Sequence, residues 1–448
     1  MKKNMKHIVL IGGGYASIWA YRSLVNELMI EMMMGMVQVK VICPEEFHFY
    51  HGWTAESLMG IIQDQNRMSP LKEIFKHAEI IKGKAVQIDV PSRTIHVEMN
   101  NGSKSVVVYD QLFIGIGATD TKTVEGLSEH GYLLKSHPAY LRSKMRLQWL
   151  ISQAAATPSE AQNYLRFVIA GCGFTGVEIA SNLAEYIDGL KNQYPSLRNI
   201  KPLIYLVNSK AAILPELQSR FNGMRHYAEK TLVQYGVTII HNRKICLVTS
   251  RGVFLNDGVF LESQMVISTI GQSRITLAGT ENMERDPEKR IITNTFLQVK
   301  NHEEIWGAGD TVHVTHSKLL KACPSNALWA IKQGEHAGSN IARVILSQPP
   351  KPFTYKGLGQ CASLGIGKGI GEIYGIPFTG RLAWIMRWLF FQYFMPSKKV
   401  MWQEIKDWFH LFLTGKRKEL TMTKAATLKI ISRERILPRD LNQLIYQN

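Results

Sequence analysis

The clearest chemical signal in the sequence is a glycine-rich loop formed by Gly171, Gly173 and Gly176. A loop that holds a dinucleotide pyrophosphate needs glycine at a tight turn and glycine where the backbone approaches the phosphates. It also needs a small residue where the helix meets the strand. An apolar run at 165–170 precedes this loop and a helical pattern follows it. These flanks favour a dinucleotide site over a chance run of glycines.

A second loop of the same kind lies near the N-terminus. Gly12, Gly13 and Gly14 follow an apolar run, and Ser17 stands at the third glycine position, where it is small enough for close helix–strand packing. A strand, a glycine loop, a helix and a second strand form a unit that builds parallel sheet and places phosphate at the helix N-terminus. The sequence therefore predicts an α/β fold with two tandem Rossmann-like dinucleotide-binding domains.

Composition limits the kind of protein. The chain has 448 residues, a net charge of +17 and 45% hydrophobic residues. Arg381 and Arg387 interrupt the most apolar stretch, so no run reaches the ~18 uncharged residues of a spanning helix. The N-terminal apolar segment from Ile8 to Ile11 is too short for a signal peptide, which predicts that the protein stays on the cytoplasmic side.

The cysteines do not indicate a metal site or a disulfide framework. No CxxC pair occurs among the five cysteines, which are Cys43, Cys172, Cys246, Cys323 and Cys361. This scatter also excludes a disulfide reductase, which needs a redox pair near the first helix.

Four segments carry a resemblance to a known family. They are 12–17, 109–118, 171–178 and Ala308-Gly309-Asp310, and their order and spacing resemble the two-dinucleotide flavoprotein superfamily. Two further segments, 134–136 and 380–384, are similar to type II NADH dehydrogenases. That family implies a monotopic enzyme that passes a hydride from NADH to FAD and two electrons to a membrane quinone, without pumping protons.

The resemblance implies a domain plan and a set of cofactor residues. We expect an FAD-binding domain at 1–120 and 276–347, a connector at 121–160, an NAD(P)H-binding domain at 161–275, and a C-terminal quinone-side module at 348–448. The expected FAD residues are Gly12, Gly13, Gly14, Ser17, Gly117, Gly309 and Asp310, and the expected nicotinamide residues are Gly171, Gly173, Gly176, Asn208 and Gly271. Asp310 would bind the ribityl chain next to a helix N-terminus, unless it is a capping residue.

The residues that usually bind ribose depart from the pattern. An acid is expected after each second strand, and this chain has Cys43 and Asn208 there. Either Glu45 or Glu46 replaces the first acid, or both are ordinary exposed carboxylates. Asn208, with Lys210 beside it, removes a charge that would repel a 2′-phosphate, so NADPH stands beside NADH as a possible donor.

The candidates for catalysis are Glu178, Gln333 and Lys368, with Lys332 as an alternative to Lys368. Glu178 is expected on the first turn of its helix, either beside the flavin and nicotinamide or as a stabiliser of the helix dipole. The family's quinone-side motif has glutamine at two positions that here hold Leu328 and Lys332, whereas Gln333 is retained. Either Lys368 or Lys332 would protonate a reduced quinone oxygen. The alternative is that both lysines are ordinary solvated surface groups.

The C-terminal segment predicts amphipathic helices that bind a membrane surface. From Arg381 onward the chain has thirteen Lys and Arg against five Asp and Glu. The aromatic and apolar residues at helical spacing are Trp384, Trp388, Phe391, Phe394, Trp402, Ile405, Trp408, Phe409 and Phe412. Such a pattern favours an anionic lipid surface, with a homodimer interface or ordinary core as alternatives. No motif for nucleic acid accompanies the charge.

Two alternative functions stay open at this point. A sulfide:quinone reductase needs two cysteines at the flavin, and only Cys361, with Cys323, lies in a suitable segment. A flavin-binding membrane protein that has lost turnover is the other alternative, because Cys43, Asn208 and Lys332 stand at positions that usually function.

Overall fold

The computed structural model describes residues 5–417 of the chain. Its first unit opens with a strand, a long helix and a second strand, and then continues through shorter elements. They are β1 (Lys6–Ile11), α1 (Tyr15–Met33), β2 (Val37–Cys43), β3 (Phe47–Phe49), α2 (Thr54–Leu58), β4 (Met68–Pro70), α3 (Leu71–Ile74), β5 (Glu79–Asp89), β6 (Thr94–Met99), β7 (Lys104–Val108), β8 (Gln111–Ile114) and β9 (Ala118–Asp120).

The second unit repeats the strand–helix–strand pattern. Its elements are α4 (Leu127–His130), β10 (Gly131–Tyr132), α5 (His137–Ala156), α6 (Ala161–Tyr164), β11 (Arg166–Ala170), α7 (Phe174–Gln193), β12 (Leu203–Val207), α8 (Asn222–Gln234), β13 (Val237–Ile240), β14 (Ile245–Thr249), β15 (Gly252–Leu255), β16 (Phe260–Glu262), β17 (Met265–Ser268) and β18 (Gln272–Arg274).

The chain then returns to the first unit and ends in a separate group of elements. These are β19 (Ile291–Ile292), β20 (Ile305–Gly307), β21 (Val312–His313), α9 (Ala327–Ile345), β22 (Gly359–Ser363), β23 (Gly369–Ile373), β24 (Ile376–Thr379), α10 (Gly380–Tyr393) and α11 (Lys398–Thr414). No helix within 5–417 is long and apolar enough to cross a bilayer.

Two sheets confirm the predicted α/β fold. The first has the order β20-β8-β1-β2-β5-β6-β7. Its five strands from β20 to β5 pair in parallel, whereas β6 and β7 are antiparallel additions. The second sheet is parallel throughout, with the order β10-β17-β11-β12-β13. Because β20 joins the first sheet after the second is complete, the first unit is interrupted as the sequence predicts.

The structure differs from the domain plan in two places. The predicted connector contributes β10 to the second sheet, so residues 131–132 belong to that unit in space. The C-terminal module contains the predicted helices and also an antiparallel sheet of β22, β23 and β24, which precedes α10. The other boundaries stay predictions.

Helices α1 and α9 pack so closely that glycine is required between them. A Cβ atom at Gly334 would lie 2.1 Å from the carbonyl oxygen of Ala16, and one at Gly338 would lie 2.2 Å from that of Ala20. The contacts advance in the same direction along both helices, so the helices run in parallel. Their N-terminal ends therefore lie at the same end of the unit, on either side of Gly309.

We expect Gly338→Ala to lower the free energy of unfolding by about 1–3 kcal/mol, because the added methyl group has no space between the helices. Gly189→Ala on α7 is the matched control, since a Cβ atom there meets no neighbour within 4 Å. Removing that exposed helical glycine should stabilise the protein by about 0.5–1 kcal/mol. Denaturant unfolding of both variants measures the difference, and equal effects would refute the packing argument.

Candidate functional site

The helices after the two glycine loops begin without a side-chain cap. Gly14 is the N-cap of α1 and Gly173 is the N-cap of α7, and neither helix end receives a side-chain hydrogen bond. By contrast, Ser136 caps α5 and Asn326 caps α9. The first N–H groups of a helix have no partner inside the helix. At α1 and α7 these groups are available to an anionic ligand, as phosphate binding requires.

The first loop combines tight packing on one side with open space on the other. Gly12 has a φ of +105°, and a Cβ atom there would lie 2.5 Å from the carbonyl oxygen of Gly115. A Cβ atom at Gly14 or at Gly117, by contrast, meets no atom within 4 Å. Ser17 is buried against Gly115, which is the close packing expected of a small residue at this position. The open side is shaped for a ligand that approaches the backbone.

Asp310 lies beside this loop, in a turn next to the N-terminal ends of α1 and α9 rather than on an α-helix of its own. Gly309–Thr311 forms a single 3-10 turn, which is too short to have a helix dipole of consequence. The Asp310 carboxylate pairs with the Lys135 ammonium at 3.2 Å. Gln333 is buried, and its Oε1 accepts a 2.8 Å hydrogen bond from the Gly309 N–H. Gln333 thus holds the turn that carries Asp310.

The second loop has the same construction. Gly171 has a φ of +102°, and a Cβ atom at Gly176 would lie 1.8 Å from the carbonyl oxygen of Gly171. Gly271, with a φ of +63°, follows strand β17 at the adjoining strand end. The carboxylate of Glu216 lies 2.9 Å from the position of a Cβ atom at Gly173. Asn208 is buried at the end of β12, which is the neighbour of β11 in the second sheet.

A buried ion triad lies where the two units meet the C-terminal module. The Arg387 guanidinium on α10 donates to Glu56 of α2 at 2.6 Å and pairs with Glu178 of α7 at 2.8 Å. It also donates to the carbonyl oxygen of Gly52, and the Ser363 N–H donates to Glu178 at 2.8 Å. The triad joins both dinucleotide units to α10 through a single cation.

Glu178 belongs to the second turn of α7, not the first, because it is the fifth residue of a helix that begins at Phe174. An acid stabilises the helix dipole only when it lies within the first turn. The alternative role of Glu178 as a stabiliser of the dipole is therefore not supported. Burial raises the pKa of Glu178 to about 7, against the opposing pull of Arg387. Arg387 contacts two carboxyl groups, those of Glu56 and Glu178. When Glu178 carries a proton, the Glu56 carboxylate alone balances the charge of Arg387, and the triad is electrically neutral.

The other catalytic candidates make different side-chain contacts. The Lys368 ammonium stacks over the Tyr235 ring at 4.3 Å, in the turn between β22 and β23. Lys332 is partly exposed and pairs with Glu335 on its own helix, whereas Leu328 is buried in the core. The catalytic assignments of Lys368 and Gln333 stay predictions.

Helix α11 is held to the first unit by acidic residues that the charge pattern did not reveal. Asp407 accepts hydrogen bonds from the Gln63 N–H at 2.9 Å and from Asn66 Nδ2 at 2.7 Å. Glu404 is fully buried and accepts a bond from Gln392 of α10. The side of helix α11 that contacts the rest of the protein is therefore held by specific hydrogen bonds to polar side chains.

This docking corrects part of the predicted lipid-facing pattern. Trp408 and Phe394 are buried, and Trp408 packs against Trp53 with ring centroids 5.8 Å apart. The exposed large apolar residues of α10 and α11 are Leu382, Ile385, Leu389, Tyr393, Trp402, Phe409, Phe412 and Leu413. The prediction also extended to Lys418 and to the rest of 418–448, which lie outside the described residues.

Sequence reasoning missed Arg387 and Glu56 as site residues. Arg387 was interpreted only as a charge that interrupts an apolar stretch. An arginine among aromatic residues on an amphipathic helix is a signal for a buried partner, since an unpaired buried cation is very costly. Glu56 has no comparable local signal. Gly334 and Gly338 stand at a spacing that does indicate close helix packing.

The fold and the two uncapped glycine loops define an enzyme class with two dinucleotide sites in tandem, the first of them in an interrupted domain. The family model for pyridine nucleotide-disulphide oxidoreductases matches residues 6–334. The chain belongs to this family.

Relatives and solved structures agree with the assignment. The type II NADH:quinone oxidoreductase of Staphylococcus haemolyticus is 25% identical over 398 residues, which cover 86% of this chain and 94% of the relative. The Plasmodium falciparum NDH2 structure, solved in complex with NADH, superposes with a TM-score of 0.82 at 14% identity and covers 93% of this chain and 99% of that one. The sulfide:quinone oxidoreductase of Aquifex aeolicus gives 0.68 at 18% identity, covering 91% and 94%. These structural likenesses concern the fold.

We expect the raised pKa of Glu178 to appear in the pH dependence of stability. Unfolded glutamate ionises near its ordinary pKa, whereas folded Glu178 keeps its proton until about pH 7. Between these values the folded state binds more protons, so stability falls as pH rises through the window, by on the order of 3 kcal/mol. Unfolding titrations of the wild type and Glu178→Gln should therefore diverge across this range. Parallel curves would contradict the assignment.

Proposed function

We propose that this chain is an FAD-dependent NAD(P)H:quinone oxidoreductase of the type II class, which does not pump protons. The observation that carries the proposal is the triad, because it places a proton-holding acid of the nicotinamide unit against the C-terminal module. The match with relatives named type II NADH:quinone oxidoreductase covers nearly the full length of those relatives.

The residues of the first unit fit FAD. The uncapped start of α1 and the open space at Gly14 suit a pyrophosphate, and Asp310 offers a carboxylate to the ribityl hydroxyls. Lys135, which pairs with Asp310, would offer a hydrogen-bond donor to the bound flavin. When bound, FAD supplies a hydride acceptor that passes electrons on to a second substrate. Gln333 keeps the Gly309 turn in place for it.

Glu178 has the chemistry of a proton donor. Reduction of a quinone to a quinol consumes two protons, and NADH brings only a hydride. A carboxyl that keeps its proton near neutral pH is the group best matched to supply one. Arg387 then compensates the carboxylate that remains, and the Ser363 N–H fixes its orientation. Arg387 and Ser363 are thus positioning residues.

The sulfide alternative lacks its thiol pair. All five cysteines are free, and Cys361 and Cys323 have different surroundings. Burial raises the pKa of Cys361 to about 12 beside Arg387 and Glu178. Cys323, in contrast, lies beside Gln333 in the first unit. A buried thiol with so high a pKa is a poor nucleophile.

The exposed apolar side of α10 and α11 supports a peripheral position on an anionic membrane, at the cytoplasmic face. Trp402 and Phe409 are more than half exposed, and Lys398, Lys399 and Lys406 are exposed on the same helix. Aromatic side chains at head-group depth with cations beside them are typical of interfacial helices. This position would give a membrane quinone access to the triad's side of the protein.

Anaerobic titration tests the function. We expect the yellow protein to bleach on addition of NADH or NADPH and to recover its colour on addition of a soluble quinone. Gly176→Ala should keep its flavin but resist bleaching, because the added methyl group blocks the second loop. Gly189→Ala on the same helix is the matched control. Wild-type protein that stays yellow with both nucleotides would overturn the proposal and favour a flavoprotein without turnover.

Vesicle binding tests the membrane surface. We expect Trp402→Ser with Phe409→Ser to reduce sedimentation with anionic vesicles by about tenfold, since buried aromatic area is lost. Phe260→Ser, an exposed aromatic change on β16 in the second unit, should leave binding unchanged. If the double variant binds vesicles normally but converts a dimer to a monomer, this surface is a homodimer interface.

A further inference from the structure

The ends of β12 and β13 are joined by a set of hydrogen bonds that we call the ribose-end clamp, formed by residues 208–210 and 240–243. The Asn208 N–H donates to Ile240 at 2.8 Å, and the Arg243 N–H donates back to the carbonyl oxygen of Asn208 at 3.0 Å. The Asn242 N–H donates to Lys210 at 3.2 Å. The clamp therefore continues the pairing of the two strands beyond the sheet.

The clamp fixes the Asn208 side chain. Its Oδ1 accepts a 3.0 Å hydrogen bond from the Lys210 N–H, and its Nδ2 lies 3.4 Å from Nδ1 of His241. Asn208 is only 3% exposed, so its amide has little freedom to rotate away. The residue at the ribose position is thus a rigid neutral group rather than an adaptable one.

Basic residues follow both of the strands that the clamp joins. Lys210 follows β12, and Arg243 with Lys244 follows β13. Within the described residues, neither Lys210 nor Lys244 takes part in an ion pair, whereas Arg243 pairs with Asp257. Asp257 therefore balances Arg243, whereas Lys210 and Lys244 stay available to an anion at the ribose. Among residues 5–417, no carboxylate hydrogen-bonds to Asn208.

We infer that the ribose-end clamp accepts the 2′-phosphate of NADPH, with Lys210 as its principal cation, so that NADPH serves as a donor at least as well as NADH. The inference rests on the proposed function for its turnover, although nucleotide binding can be measured without it. A carboxylate at position 208 would accept hydrogen bonds from both ribose hydroxyls and would repel a phosphate. Asparagine removes that repulsion, and Lys210 adds an attraction.

Binding of nucleotide fragments tests the site without flavin chemistry. We expect the protein to bind adenosine 2′,5′-bisphosphate about tenfold more tightly than ADP, a difference typical of one added charge contact. Asn208→Asp keeps the size and the acceptor for the Lys210 N–H, yet it should abolish this preference. Lys210→Met removes the cation at an exposed position, where misfolding is not a concern. Lys230→Met, an exposed change on α8, is the matched control and should keep the preference.

The result that would overturn the inference is equal binding of the two fragments by the wild type, or a preference that survives Asn208→Asp and Lys210→Met. Flavin reduction then separates this inference from the proposed function. If neither NADH nor NADPH bleaches the flavin, the proposed function fails, while the fragment data still decide the clamp. If NADH alone bleaches it, the function stands and the inference fails.

Discussion

Arg387 is the charge on which the arrangement of this protein depends. A guanidinium that is almost completely buried is tolerated only when carboxylates compensate it with good geometry. Here the compensation comes from Glu56 in the first unit and Glu178 in the second. If α10 were displaced, Arg387 and its two glutamate partners would lose each other and would be left as unpaired charges. The triad therefore sets the position of the C-terminal module against both nucleotide units, and it buries an acid at their junction whose pKa is raised by that burial.

The dinucleotide units were predictable because their determinants are local. Backbone crowding at Gly12, Gly171 and Gly176 leaves no space for a side chain, and this requirement appears directly in the sequence. The buried parallel strands appear as short apolar runs, as expected for strands covered on both faces. The start of α5 also follows a local rule, because Ser136 is a residue type that favours the N-cap and its side chain accepts a hydrogen bond there. Local steric and capping rules thus predicted most of the architecture.

The site could not be predicted in the same way, because its contacts join distant parts of the chain. Glu56, Glu178 and Arg387 meet only after three segments have folded. The surroundings of Arg387 in the sequence indicate that it has a buried partner, but they do not identify which residue that partner is. The same limit applies to α11, where an amphipathic pattern suggested a lipid face but Trp408 and Asp407 face the protein. Periodicity predicts that a helix has an apolar side without identifying what covers it.

The most direct test of the account is the reoxidation of pre-reduced enzyme by a soluble quinone, followed by stopped flow between pH 5 and 9. If Glu178 supplies a proton to the quinone, the rate should fall as pH rises through about 7. The Glu178→Gln variant should be slower and should lose that dependence. A wild-type rate that does not vary with pH, or an unchanged pH profile in Glu178→Gln, would contradict the account.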